Sequence, residues 1–301
     1  MGTPDIAAAA LKAIFGAGHT VCGVYTREDK PVGRRQVLTA PPVKQVALAH
    51  SIPVFQPKTL RGGAETENIR ALAPELIVVV AYGRILPPEL LELPPYGCIN
   101  LHVSLLPKYR GSAPVQWAVI NGEEMTGVSI MYLNEGIDTG DVLRVQPVSI
   151  GPDETSGELF ERITRQGAET LLAAMEDIAA GRAHATPQEH ALATSAPMLT
   201  KEMACFSFST PAKKLHDLIR GLNPWPVAYF GYEDKKIKVL RTKYLPEQSG
   251  APGAVLCVKP LVVACESGAL QLNEVVPEGS RPMDGSAWAA GRRFQIGDKL
   301  Q

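Results

Sequence analysis

Residues 97–111 read Gly97-Cys98-Ile99-Asn100-Leu101-His102-Val103-Ser104-Leu105-Leu106-Pro107-Lys108-Tyr109-Arg110-Gly111. Up to His102 the run is apolar except at positions 100 and 102, and the chain then meets turn-forming residues at Pro107 and Gly111. Side chains alternate between the two faces of a strand, so Asn100 and His102 share a face near the strand's C-terminal end. Open α/β sheets place ligands at that end. A single histidine there is most often a hydrogen-bonded structural group; the alternative is that it and the amide two residues before it on the same face hold one reacting atom together.

The surrounding pattern decides the sheet. Residues 21–25 and 76–81 are short continuous apolar runs of the kind that form parallel strands covered on both faces. Residues 6–15, 43–50 and 68–72 have helical character, and 51–55 reads as another strand. Strand and helix alternate up to Cys98, which predicts an α/β fold: a doubly wound, mostly parallel, Rossmann-like sheet. The tetrapeptide Gly2-Thr3-Pro4-Asp5 lacks the spacing of a dinucleotide fingerprint. The basic stretch 26–36 reads as a long loop, with Arg34 and Arg35 suited to phosphate. Beyond the opening stretch, 115–120 reads as a helix. Residues 127–132 and 142–146 read as a hairpin-like pair with Asp138 in its connection. Thr155 and Glu158 form a capping box for a helix that runs to Gly181.

Composition changes after that helix. Residues 182–205 are polar, Ala-rich and punctuated by Pro187 and Pro197, and read as a linker. The remainder holds one amphipathic helix (213–220) and five short strand candidates between turn signals, which predicts a small OB-like β-barrel. Three regions result: 1–181, the linker, and 206–301. In the barrel Lys236 and Lys238 share a strand face, with Arg241 just beyond. Such a face is either a wet surface or a nucleic-acid contact.

Whole-chain properties narrow the class. Of the 301 residues, 45% are hydrophobic and 20% charged, an ordinary composition for a globular chain of about two domains. Residues 1–194 carry 16 Lys+Arg against 21 Asp+Glu, and residues 195–301 carry 14 against 10, so the basic C-terminal part favours a polyanionic partner. Cys22, Cys98, Cys205, Cys257 and Cys265 form no CxxC pair and read as buried thiols of a reducing compartment, the cytoplasm. The sequence has neither a secretory segment nor an apolar run long enough to span a membrane.

Asn100/His102, Asp138 and the basic C-terminal region occur together with VVVAYGRILP (78–87), GIDTGD (136–141), NPWP (223–226) and Leu199-Thr200-Lys201-Glu202. In this combination the chain resembles the 10-formyltetrahydrofolate-dependent formyltransferases, and within them the branch that formylates methionine on initiator methionyl-tRNA in translation initiation. The resemblance implies a catalytic Asn100, His102 and Asp138, with 10-formyltetrahydrofolate as co-substrate and no metal. It implies a folate site bordered by Val80, Ala81, Tyr82, Gly83, Ile85 and Leu86, by the Ser104, Leu105, Leu106, Pro107 loop, and by Ile137 and Thr139. It also implies tRNA contacts at Arg34, Arg35, Lys201, Lys236, Lys238 and Arg241, and a monomer. Two other readings carry the same residues: a formyltransferase acting on a small amine, such as a purine precursor or an amino sugar nucleotide, and a catalytically silent RNA- or folate-binding protein. Three positions depart from the family pattern. Val103 stands where Gly or Ala is expected beside the histidine, and residues 204–208 lack an expected Arg and Asp. The apolar strand expected before Gly2 is absent, which would remove roughly 6–15 kcal/mol of burial from the sheet centre.

Overall fold

The computed structural model describes residues 1–33 and 35–300. Elements run α1 (Asp5–Gly16), β1 (Val24–Tyr25), β2 (Lys30–Val32), β3 (Val37–Thr39), α2 (Pro42–Ala49), β4 (Val54–Phe55), α3 (Ala64–Ala71), β5 (Ile77–Val79), α4 (Pro88–Leu91) and β6 (Cys98–His102). They continue with β7 (Arg110–Gly111), α5 (Pro114–Ile120), β8 (Met125–Tyr132), β9 (Val142–Ser149), α6 (Ser156–Ala179), β10 (Ser195–Ala196) and α7 (Ala212–Gly221). The chain ends through β11 (Tyr229–Tyr232), β12 (Lys235–Leu245), β13 (Val255–Val258), β14 (Leu261–Ala264), β15 (Ala269–Pro277), β16 (Met283–Asp284) and α8 (Gly285–Arg292). Two compact units emerge. One is Met1–Gly111, Gly127–Val148 and Glu161–Ser195; the other is Ser112–Thr126, Ser149–Phe160 and Ala196–Gln301.

In the first unit β1 pairs with β4 in parallel, and β5 pairs with β6 in parallel. Strand β8 then runs antiparallel to β6, and β9 completes a sheet of order β5-β6-β8-β9. The expected parallel pairing therefore holds for β1 with β4 and for β5 with β6, and gives way to antiparallel pairing beyond β6. Residues 26–36, read above as a loop, contain strand β2, which pairs antiparallel with β3. Pro31 and Gly33 had masked its periodicity.

The two parallel ladders are linked through the first residues of the chain. Gly2 bridges Val80, its N–H donates to Tyr25 O at 2.9 Å, and the amino group of Met1 donates to Val78 O at 2.6 Å. Only glycine fits there, because a Cβ on Gly2 would come within 2.5 Å of Ala7 Cβ and 2.7 Å of Val80 O. Burial lowers the pKa of the Met1 amine to about 6. Next to this link lies a cavity of about 430 Å³, walled by residues 21–25 and 76–78, by Val80, and by Leu11, Ile14, Met175 and Ile178. Helix α6 also packs on β6, closely enough that a Cβ on Gly167 would lie 3.2 Å from Leu101 Cδ1.

The second unit is built on an antiparallel sheet of order β11-β12-β15-β14-β13, with β16 on β15. Its ladder does not close β11 onto β13 among the described residues, so the observed arrangement is an open sheet where a barrel was expected. Five buried aromatic rings cluster within its largely aliphatic core. Phe208 packs on Phe206 at 5.5 Å and on Phe230 at 5.0 Å, Phe230 on Trp288 at 6.1 Å, and Trp288 on Phe294 at 5.1 Å. Residues 204–208, which lack the polar pair expected of them, supply Ala204, Phe206 and Phe208 to this core. The capping box is present, with Thr155 N–H donating to Glu158 Oε2 at 2.9 Å and Glu158 N–H to Thr155 Oγ1 at 3.3 Å. All five cysteines are free, but only Cys98 and Cys265 are buried, and burial pushes each of these thiols up to about 12. Cys205 is exposed, contrary to the expectation of a buried thiol.

Candidate active site

Strand β6 places the two polar residues as its period requires. Asn100 lies opposite Met131 and His102 opposite Ser129 on β8, both nearly buried. His102 Nε2 lies 2.9 Å from Tyr109 O. A carbonyl only accepts, so Nε2 carries the hydrogen and the tautomer is fixed by the loop. The other ring nitrogen, Nδ1, then faces Asp138 Oδ2 at 3.6 Å. That spacing is too long for a hydrogen bond but close enough for the carboxylate to stabilise an imidazolium. Asn100 makes no side-chain hydrogen bond among the described residues, which leaves its amide available to an incoming group.

The loop 103–111 is braced from within. Ser104 Oγ donates to Lys108 O at 2.7 Å, Ser129 Oγ donates to Ser104 O at 2.7 Å, and Leu106 N–H donates back to Ser129 Oγ at 3.1 Å. Val103 is half-buried with no left-handed backbone, so the bulkier side chain is accommodated. Leu105 packs under Gly127, where a Cβ would collide with its Cδ2. Of the loop residues tied to folate by resemblance, Ser104 has its hydroxyl engaged within the loop.

Asp138 has a left-handed backbone (φ 52°), a conformation that Asp tolerates better than most residues. Its Oδ2 accepts from Gly111 N–H at 2.8 Å, which ties the two loops together beside the histidine. Of the apolar residues expected around folate, Val80, Tyr82 and Leu86 are buried in the unit. Ile85 and Ile137 are each 68% exposed. Thr139 Oγ1 donates to Asn134 Oδ1 at 2.8 Å, which stiffens the turn around Ile137.

Of the residues tied to tRNA, Arg35 and Lys201 are exposed, and Arg34 lies outside the described residues. Lys236 and Lys238 are exposed on one face of β12, with Lys236 over the Tyr229 ring at 4.7 Å. Arg241 is engaged within its own unit, pairing with Glu158 at 2.5 Å. That guanidinium, together with the Thr155 N–H, lowers the Glu158 pKa to about 2. Sequence reasoning missed Gln188, Arg110 and the Tyr109 carbonyl; an uncharged residue in a polar stretch gives no periodic signal.

Comparison with known proteins defines the class. The formyl transferase family profile matches residues 1–175, and that of the formyl transferase C-terminal domain matches residues 198–293. The chain belongs to the formyl transferase family. It is 44% identical over 304 residues to the methionyl-tRNA formyltransferase of Desulforamulus reducens, covering 100% of this chain and 96% of that one. It is 42% identical to that of Acetivibrio thermocellus, covering 100% and 98%. Within the class, therefore, it is a member of the methionyl-tRNA formyltransferases. Among solved structures, the sugar 3N-formyl transferase WlaRD, determined with dTDP and 5-N-formyl-THF, shares the fold with a TM-score of 0.69 at 15% identity over 93% of this chain and 97% of that one. HypX from Aquifex aeolicus in complex with tetrahydrofolic acid gives 0.59 at 18% identity over 83% and 44%.

Proposed function

We propose that the chain transfers a formyl group from 10-formyltetrahydrofolate to the amino group of methionine on initiator methionyl-tRNA. The observation that carries this reading is the setting of His102, whose ring is fixed between Tyr109 O and the Asp138 carboxylate beside the unclaimed Asn100 amide. The folate supplies the activated formyl group. Ile85 and Ile137 offer exposed apolar surface for its rings, with Ala81, Gly83 and the loop backbone for its polar edges. The side chains of Val80, Tyr82 and Leu86 act from beneath, as the floor of the slot.

The roles follow from the chemistry. The methionine amine attacks the formyl carbon, so negative charge grows on the formyl oxygen and positive charge on the amine nitrogen. Asn100 donates its amide N–H to that oxygen, an interaction that strengthens as the charge develops. His102 takes up at Nδ1 the proton shed by the amine and returns it to the leaving nitrogen, while the Tyr109 carbonyl orients the ring and the Asp138 carboxylate beside Nδ1 stabilises its charged form. The exposed lysines of β12, with Lys201 and the basic residues at 34 and 35, suit an RNA backbone. The same reading assigns the protein to the cytoplasm; none of the described helices is long and apolar enough to cross a membrane.

Initiator methionyl-tRNA, 10-formyltetrahydrofolate and the protein are combined and scored for formyl-methionine. Formylation of the aminoacyl-tRNA is expected. Formylation of a purine precursor or an amino sugar nucleotide, with the aminoacyl-tRNA untouched, would overturn the assignment.

A further inference from the structure

Gln188 lies in the polar stretch read from sequence as a plain linker, yet it is only 8% exposed. Its amide is fully used. Oε1 accepts from Arg110 Nε at 3.2 Å and Nη2 at 2.6 Å, while Nε2 donates to Asp138 O at 3.0 Å and Gly140 O at 2.7 Å. Arginine has no acceptor, so the oxygen must face Arg110 and the NH₂ group must face the two carbonyls. One side chain therefore grips the backbone on both sides of Thr139 and, through Arg110, the residue next to Gly111, whose N–H holds the Asp138 carboxylate. Arg110 is itself held, with its N–H donating to Thr194 O at 2.8 Å and its Nη2 lying 3.0 Å from His190 Nδ1.

We propose that Gln188 is a positioning residue for the reaction: it fixes the left-handed Asp138 turn so that the carboxylate meets His102 Nδ1. Two features make such a clamp necessary. The Asp138 backbone is in a sparsely populated conformation that persists only where its surroundings hold it. The carboxylate also reaches His102 across 3.6 Å without a direct hydrogen bond, so nothing in the pair itself sets the distance. A carboxylate free to wander by an ångström would lose most of its effect on the ring. The inference rests on the catalytic reading of His102 and Asp138.

The test is a cycle of variants assayed for formyl transfer to methionyl-tRNA. Gln188→Ala removes both sides of the clamp. Gln188→Glu keeps the volume and the contact with Arg110 but replaces the donors to Asp138 O and Gly140 O by a repelling carboxylate. Each is expected to lose ~10-fold or more in kcat, with KM for both substrates within about twofold, on the scale of a small misplacement of a catalytic group. In an Asp138→Ala background the same Gln188→Ala change should cost under about twofold, because there is no longer a carboxylate to place. A purely structural role would give the same loss in both backgrounds, and that result would overturn the inference. So would parental kcat in Gln188→Glu. Parental kcat in Asp138→Ala alone would remove the catalytic reading, and this inference with it, which separates the two failures.

Discussion

Both units bury a polar network, and the two networks differ in one respect. In the second unit Asp217 and Arg220 are nearly buried and saturate each other, with Arg220 Nε on Asp217 Oδ1 at 2.9 Å and Lys213 Nζ on Oδ2 at 2.6 Å. Arg220 spends its remaining donors on Gly151 O and Glu154 O, both at 3.2 Å. His216 beside them is held by Thr242 Oγ1 at 2.8 Å and Pro152 O at 2.9 Å. In the first unit Gln188, Arg110, Gly111, Asp138 and His102 are linked in turn, and two residues before the histidine stands Asn100, whose amide makes no bond of its own among the described residues. Closed networks hold loops in place. The free amide beside the first network is what the proposed reaction uses.

The comparison breaks most readily at Asp217. Asp217→Ala leaves a buried guanidinium without its carboxylate and is expected to cost about 3–5 kcal/mol in urea unfolding. A loss below ~1 kcal/mol would mean that the second network is not closed as described. Next in size, Lys236→Glu combined with Lys238→Glu should weaken methionyl-tRNA binding by about tenfold or more and flatten its salt dependence. An unchanged salt slope would place the RNA surface elsewhere.

The smallest effect concerns pH. Burial holds the His216 imidazole below its ordinary range, against the opposing pull of the Pro152 carbonyl. A base whose folded pKa is depressed must stay neutral to remain folded. Stability present above the unfolded value near ~6.5 is therefore lost as the pH falls from there toward the folded value. Urea midpoints measured across this window should fall on acidification, and His216→Gln should flatten the trend; a parent midpoint that rises instead would contradict the assignment.

How much of this could be read from sequence differs between fold and site. The parallel strands, the capping box and the C-terminal strands were legible because apolar periodicity and turn residues are local signals. Three features were not. The β2–β3 hairpin was hidden by Pro31 and Gly33, and the open sheet could not be told from a barrel because closure depends on pairing rather than on strand number. That Ser112–Thr126 and Ser149–Phe160 belong with the C-terminal unit is a matter of long-range packing. At the site, the shared face of Asn100 and His102 was legible from the two-residue period, while the role proposed for them came from the family resemblance. Asp138 needed the family resemblance, since an Asp in a turn is commonplace. Gln188 carried no signal because its importance lies in what folds onto it.

The most direct test is single-turnover formyl transfer by His102→Ala and Asp138→Ala, with methionyl-tRNA affinity measured alongside. Each variant should slow the transfer by ~10²-fold or more while affinity stays within about twofold, as expected for the loss of an acid–base group. Transfer at the parental rate in either variant would contradict the assignment of the chemistry to the end of β6.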